Sequence, residues 1–507
     1  MARTKLFLFN QPSRSTINRV LIEHTDALEK LDGGNEAFAT TIKRIYARTT
    51  GSDSTGDGLT TGTAFRTFQK AVRSVPLVVP PGFQYVIDIT GLGTETLPIN
   101  YTLPAWKSAD IYNTFTDQIW VARSGVTIEA TPQLVASISA ADATLASGSD
   151  FTATTNAGSG LVTLTLTGAP RASWASNALK GKFVIGATGG IENAVIVASD
   201  TTYIRLTTTT ALTTPMQIME PTATLSGTNS GTFRGSVNAI NVDSLTFNGI
   251  KIVNTGGASS VGLFVQGYGQ TATNLCELQG PSFCTMGTFI NRIQRSWLYG
   301  APIFWGRYTV TQCLMDQLTA TPFRGPATPQ YRRTAFNACT TLDVSDQIVQ
   351  SGIIPSAVPL LLMENIEIVG SAGATSDGLR LHGTRAILSN VDVSACGRDG
   401  IRCEAGDGYV ELNNVRTTGT ANGVTATGYG INVQDGMRVK VNSSTYNATT
   451  DRLQGGGGDM KVGANATRTF ANFVSGADSR PVKNESDLTA DLVSGIVSGT
   501  GSMVYGV

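Results

Sequence analysis

Asp377-Gly-Leu-Arg-Leu381, Asp399-Gly-Ile-Arg-Cys403 and Tyr429-Gly-Ile-Asn-Val433 are three copies of one short pattern. Each has Gly at its entry and two apolar residues separated by one polar residue, the inward, outward, inward alternation of a β-strand. A second strand follows each copy, with cores Leu388-Ser-Asn-Val-Asp-Val393, Leu412-Asn-Asn-Val-Arg-Thr417 and Val441-Asn-Ser-Ser-Thr-Tyr446. Aligned positions lie 24 (388 to 412), 22 (378 to 400) and 30 (400 to 430) residues apart. Strands of constant length joined by loops of variable length give such offsets, which is the behaviour of a solenoid. Without a helical segment between the strands, a βαβ array is excluded. The pattern predicts an all-β chain wound as a parallel β-helix, with equivalent side chains stacked about 4.8 Å apart. Asn365, Asn390 and Asn414 then form an internal asparagine ladder, structural because buried amides need partners.

Composition agrees. The 507 residues exceed one ordinary compact core, but each rung of a solenoid brings its own. The 56 glycines and low charge suit tight corners, and Lys plus Arg (37) balances Asp plus Glu (37), so no polyelectrolyte footprint for nucleic acid is expected. With only His24 and His382 and no CxxC pair, a zinc site or a Ser-His-Asp triad is not expected, and the six cysteines read as buried free thiols. The opening residues carry no apolar run ending in a small-residue cleavage site, and no apolar run reaches about 18 residues. Folding in a cytosol without membrane insertion is the expectation.

Residues 1–50 contain a strand candidate, Lys5-Leu-Phe-Leu-Phe9, and a helix over about Arg14 to Leu31. Ile17, Leu21, Leu28 and Leu31, with His24 between, form a short heptad seam suited to docking or trimerising beside a larger body. Gly51-Ser-Asp-Ser-Thr-Gly-Asp-Gly58 resembles the start of a calcium loop, but Ala64 stands where a bidentate Glu is needed, so no metal is expected. Thr63-Ala-Phe-Arg-Thr-Phe-Gln-Lys-Ala-Val72 reads as a helix with Phe65, Phe68, Val72 and Val75 on one face, followed by the strand Tyr85–Thr90.

This Gly/Asp-rich turn, amphipathic helix and entering strand resemble the N-terminal cap of pectate-lyase-like right-handed parallel β-helix proteins, many of which, with an extra N-terminal module, are bacteriophage tailspikes. The resemblance covers roughly residues 51–130 and 223–463. It implies a cap over the first coils at 51–132, a β-helix body at 226–463 and a cap or tail at 464–507. It further implies a homotrimeric virion spike, assembled in the host bacterial cytoplasm, whose residues 1–50 dock to tail, baseplate or portal-region proteins and whose body meets a bacterial surface polysaccharide. Residues 133–225, rich in Thr, Ala and Val, carry the alternating strands 161–166, 182–185, 194–197 and 203–206 and read as an inserted small antiparallel β-domain.

Residues 283–336 concentrate ten aromatics, among them Trp297, Tyr299, Trp305 and Tyr308, against a chain average of 7%. Arg295 and Arg307 are among six arginines there, facing one acid, Asp316. Aromatic faces stack on sugar rings and arginine forks hold carboxylates or sulfates. An elongated groove for an acidic polysaccharide is one reading; filling of wide coils and of a subunit interface is the other. A glycosidase needs two carboxylates, about 5 to 9.5 Å apart. Stacking predicts Glu367 beside Asp392, with Arg416 next in the column, and offers Asp316 with Glu364 as an alternative pair. Hydrolase or lyase chemistry there, or a solvated charge ladder, both remain open. The functions to separate are a spike that binds and cleaves polysaccharide, a non-catalytic structural or receptor-binding spike, and a free secreted lyase. No cofactor is expected.

Overall fold

The computed structural model describes residues 41–316, apart from 81, 109–124, 139–150, 157, 168–169, 186–192, 210–215, 229–233, 257–260, 268, 286–290, 301–302 and 306–307. From 323 onward it describes the strands Phe323–Arg324 to Tyr505–Gly506 together with the turn residues 339, 377, 378, 396, 399 and 400. The predicted seam with His24, Arg307, the copy's entry at Tyr429-Gly430 and the glycine run 455–458 lie outside the described residues.

Two long parallel sheets of 23 and 13 strands dominate, compatible with a β-helix. The three copies stack in the smaller sheet, Leu379 on Ile401 on Ile431 and Leu381 on Cys403 on Val433. The second strands stack in the larger sheet, where Met363, Leu388 and Leu412 are successive neighbours and all are buried. Alternation does this work: apolar residues two apart share one face, and a parallel neighbour in register continues the column. One hydrophobic core runs from Ile45 through Phe247 and Leu388 to Val439. Cys276, Cys313, Cys339, Cys396 and Cys403 are buried free thiols within it.

The predicted helix is shorter than its pattern. It spans Phe68–Ser74 with Thr67 as N-cap, while Phe65 pairs with Ala47 as extended chain. Asp53 explains the late start, accepting from the Arg66 and Thr67 backbone N–H groups and from the Thr67 hydroxyl. Both groups of the Gly/Asp-rich turn that suggested a cation are thereby engaged, since Asp57 accepts from Leu59 N–H and the Thr63 hydroxyl. Burial alone would raise the Asp53 pKa, but these hydrogen bonds outweigh it and hold the carboxyl below its ordinary value. The unfolded chain therefore takes up the proton first. The stability Asp53 contributes is present above the ordinary carboxylate pKa of about 3.9 and is lost as pH falls through the lowered folded value. Asp53→Asn is expected to lose less thermal stability than the unsubstituted protein between pH 6 and pH 3, measured by melting at both pH values.

The asparagine ladder is present but not internal. Asn390 donates to Asn365 at 3.1 Å, Asn414 to Asn390 at 2.8 Å and Asn365 to Asn337 at 3.2 Å, in a partly exposed row at the bend between paired strands. Asn365, Asn390 and Asn414 have φ of 57°, 54° and 52°. The left-handed bend, which Asn tolerates better than other non-glycine residues, points the side chain along the stack instead of into the core. Asn390→Ala loses two amide contacts and strains the bend, with an expected cost of about 1–3 kcal/mol. Asn390→Gly loses the same contacts but relieves the backbone, so its denaturant midpoint should lie between those of the alanine variant and the unsubstituted chain.

Residues 133–220 form a separate seven-stranded sheet in which every pairing is antiparallel. It leaves the parallel stack after Gly125–Glu129 and returns at Ala223–Gly227, which pairs with Thr94–Thr96. It has its own core, with Trp174 fully buried among Leu164, Val184, Ile196, Ile204 and Ile218. At the other end, parallel pairing continues past 463, where Asn472–Ser475 and Lys483–Asn484 extend the smaller and larger sheets. Among the described residues no helix is long and apolar enough to cross a membrane.

Candidate functional site

Register assembles the expected carboxylates on one face of the larger parallel sheet. The column runs Lys251, Glu277, Trp297, Leu314, Thr340, Glu367, Asp392, Arg416, each beside the next. Glu367 and Asp392 are thus immediate neighbours, as their spacing predicted. Asp316 occupies the adjacent outward column, next to Tyr299. Glu364 is exposed and sits before the Asn365 bend, between Asn337 and Ser389. Asp316 follows the equivalent bend at Gln312 two strands earlier, so the alternative pair Asp316 and Glu364 is not brought together.

This face is covered by the seven-stranded sheet. Glu367 is 6% exposed and forms an ion pair with Arg205. Asp392 is 7% exposed and accepts from Asn156 Nδ2 at 2.9 Å. Asp316 lies 2.5 Å from Lys180 Nζ. The Thr207 hydroxyl donates to the carbonyl of Gln312 at 2.9 Å, closing the seam along the bend. Beside these polar contacts, Phe183, Val195 and Val197 of the seven-stranded sheet pack with Leu275, Leu314 and Trp297. Gly181, at φ 79°, is needed there: a Cβ would lie 2.1 Å from Trp297 Cε3.

The aromatic and arginine set is distributed over three environments. Trp297 and Tyr299, ring centroids 4.8 Å apart, belong to the covered face. Burial, then the charge of Glu277 and its hydrogen bond, push the Tyr299 phenol well above its ordinary pKa. Arg295 occupies the left-handed bend at φ 45°, donates Nε to Gln312 Oε1 at 3.1 Å, and has its pKa lowered by burial. Tyr308 is a core residue, not a surface one, because its position alternates inward; its hydroxyl donates to the Phe283 carbonyl at 2.7 Å. Trp305 lies on the other parallel sheet, in Ile303–Trp305. Among the described residues of this set, Tyr308 is in the core while Trp297 and Tyr299 lie under the docked sheet, so they do not share one groove.

What sequence reading missed is the second half of each contact. Asn156, Lys180 and Arg205 sit in ordinary turn and strand positions 136 to 236 residues from their partners (316 − 180 = 136, 392 − 156 = 236), and no local pattern announces them. Among the described residues no cluster of three His, Cys, Asp or Glu is placed to hold a metal ion. The arrangement is that of an interface: burial, a cationic partner for Asp316 and for Glu367, an amide donor for Asp392, and an apolar patch beside them.

The class so defined is an all-β protein with long parallel sheets and a docked antiparallel sheet. No family model matches the chain, and no curated protein matches it. Among solved structures, one described as the complex structure of XylC with xylose aligns over 84% of this chain and 70% of its own, with 9% identity and a TM-score of 0.28. Likeness at that level says nothing of activity or substrate.

Proposed function

We propose that the chain is a right-handed parallel β-helix spike of the bacteriophage tailspike or tail-fibre kind. It acts as a homotrimer docked to the virion through residues 1–50, and its body binds a bacterial surface polysaccharide during host attachment. The observation that carries this reading is the column-by-column register of the two parallel sheets, in which described strands from Ala223–Gly227 to Tyr505–Gly506 pair in parallel with strands of the neighbouring rungs. A rigid rod of this kind serves attachment, presenting side chains at fixed spacing along a polymer. The resemblance of residues 51–130 to tailspike caps adds to it.

The burial of Asp316, Glu367 and Asp392 beneath a docked sheet favours a binding spike over a depolymerase that uses these carboxylates. A general acid must reach the glycosidic oxygen, and here Arg205, Asn156 and Lys180 occupy that side. The test is incubation of the purified protein with capsule or lipopolysaccharide from candidate hosts, measuring retention and released reducing or unsaturated ends. Retention without product on one host supports the proposal, and cleavage that survives Glu367→Gln would place any chemistry elsewhere. Failure to bind any host polysaccharide, or a monomer by native mass measurement, would refute it.

A further inference from the structure

We propose that Cys313 and Cys339 are a redox-operated staple: in oxidising surroundings they join two neighbouring rungs of the larger sheet and thereby fasten the strand on which the seven-stranded sheet is docked. Backbone register puts the two side chains together. Thr311 pairs with Asn337 and Leu314 with Thr340, so Cys313, one residue past the bend at Gln312, stands beside Cys339. Neighbouring parallel strands are about 4.8 Å apart, inside the roughly 4.4–6.8 Å between Cα atoms that a disulfide spans. Both side chains belong to the core with no surface left to solvent, and the two thiols are in hydrogen-bonding contact. Cys339 Sγ also reaches the Val310 carbonyl on the neighbouring strand at 3.6 Å. The column runs Cys276, Ser296, Cys313, Cys339, Ile366, Val391, Val415. Cys276 thus has a serine for its neighbour, and among the described cysteines register brings together Cys313 and Cys339 alone.

Cys313 lies in the stretch on which the docked sheet rests. Gln312 accepts from the Thr207 hydroxyl, Leu314 packs with Phe183, Val195 and Val197, and Asp316 pairs with Lys180. Cys313 is the inward residue among these outward contacts, so a bond from it holds their platform from behind. The step is thiol–disulfide exchange with a small disulfide such as oxidised glutathione. One cysteine loses its proton and the thiolate attacks a glutathione sulfur, expelling one glutathione thiolate and leaving a mixed disulfide. The second thiolate attacks the protein sulfur of that bond and expels the other glutathione. The two cysteines lose two electrons and two protons, and the glutathione disulfide gains them as two thiols. Burial, then the contact with Cys339, pushes the Cys313 thiol well above its ordinary pKa, and neither sulfur meets solvent in the closed stack. Exchange therefore proceeds during folding or local opening and stops when the rungs close, after which the same burial shields the bond from reductant. The bond closes a loop of 26 residues (339 − 313 = 26), and the chain entropy it removes stabilises the closed rungs.

The full chain, purified with dithiothreitol, is incubated with oxidised or reduced glutathione, both folded and during refolding from urea. Peptide mass spectrometry without reductant is expected to find a Cys313–Cys339 cross-link, lighter by two hydrogens, in the oxidised samples alone. The melting temperature should rise by about 3–6 °C. Hydrogen exchange should slow at Leu314–Asp316 and at Phe183–Ile185, and dithiothreitol should reverse both effects. Cys313→Ser and Cys339→Ser should each abolish the cross-link and these gains, while Cys276→Ser should keep them. Circular dichroism checks that each variant folds; Cys339→Val, which matches the column neighbours Ile366 and Val391, serves where serine disturbs the core. Both thiols left free after folding and refolding with oxidised glutathione, or cross-links in other pairings, would overturn the inference. So would a Cys313–Cys339 bond that leaves exchange at Phe183–Ile185 unchanged, because the staple and the docked sheet would then be uncoupled.

Discussion

Glu367→Lys is expected to release the seven-stranded sheet from the parallel body while leaving both folded. The substitution turns an ion pair with Arg205 into a repulsion at a site 6% exposed. Removing one partner of a fully buried pair costs about 3–5 kcal/mol. Arg205 retains 33% side-chain exposure, so solvent screens part of this and about 2–4 kcal/mol is the expected loss. Residues 133–220 have their own core around Trp174, so undocking need not unfold them. Hydrogen exchange should therefore rise at Phe183–Ile185 and over Leu275 to Leu314, where Phe183, Val195 and Trp297 meet, and stay low at Leu388. Coupling the change to Arg205→Glu should restore part of the docking, because the pair is re-formed with reversed polarity. Unchanged exchange in Glu367→Lys would show that the apolar patch alone holds the sheet in place.

Leu388→Ala should be the most destabilising single truncation in the body. Leu388 lies between Met363 and Leu412 in one buried column, with no side-chain surface left to solvent. Truncations of this kind cost about 2–5 kcal/mol, the larger values arising where the site cannot collapse. Strands held in register on both sides leave little room to collapse. In a stack where each strand contacts chiefly its neighbours, the damage should concentrate in Leu360–Gly370, Arg385–Ser394 and Tyr409–Thr418. Ser389→Ala, one residue away on the outer face, should cost less than about 0.5 kcal/mol by urea denaturation. Similar midpoints for the two variants would deny the inward and outward assignment.

The parallel stacking was legible because its signal is periodic: Leu388 over Leu412 and Leu381 over Cys403 follow from alternation and a repeat of two dozen residues. Glu367 beside Asp392 follows from the same register. Legibility ended where the outcome depended on distant chain. Nothing near Glu367 says that Arg205 will cover it, so a pair with the spacing of a glycosidase is an interface contact. Composition groups Tyr308 with Trp297 as aromatics, although their strand positions send one into the core and the other under the docked sheet. Strict alternation places the asparagine row inside, and the left-handed bend at Asn365, Asn390 and Asn414, which adds a residue and breaks that alternation, turns it outward.

The central claim is that residues far apart in sequence are regularly spaced neighbours along one stack. Spin labels at Thr311 and Asn413 test it most directly, since Thr311, Asn337, Glu364, Ser389 and Asn413 are successive register partners. Pulsed dipolar spectroscopy should give one narrow distance near 19 Å, four steps of about 4.8 Å. A broad distribution, or a separation beyond about 35 Å for chain that does not return to the same column, would contradict the account.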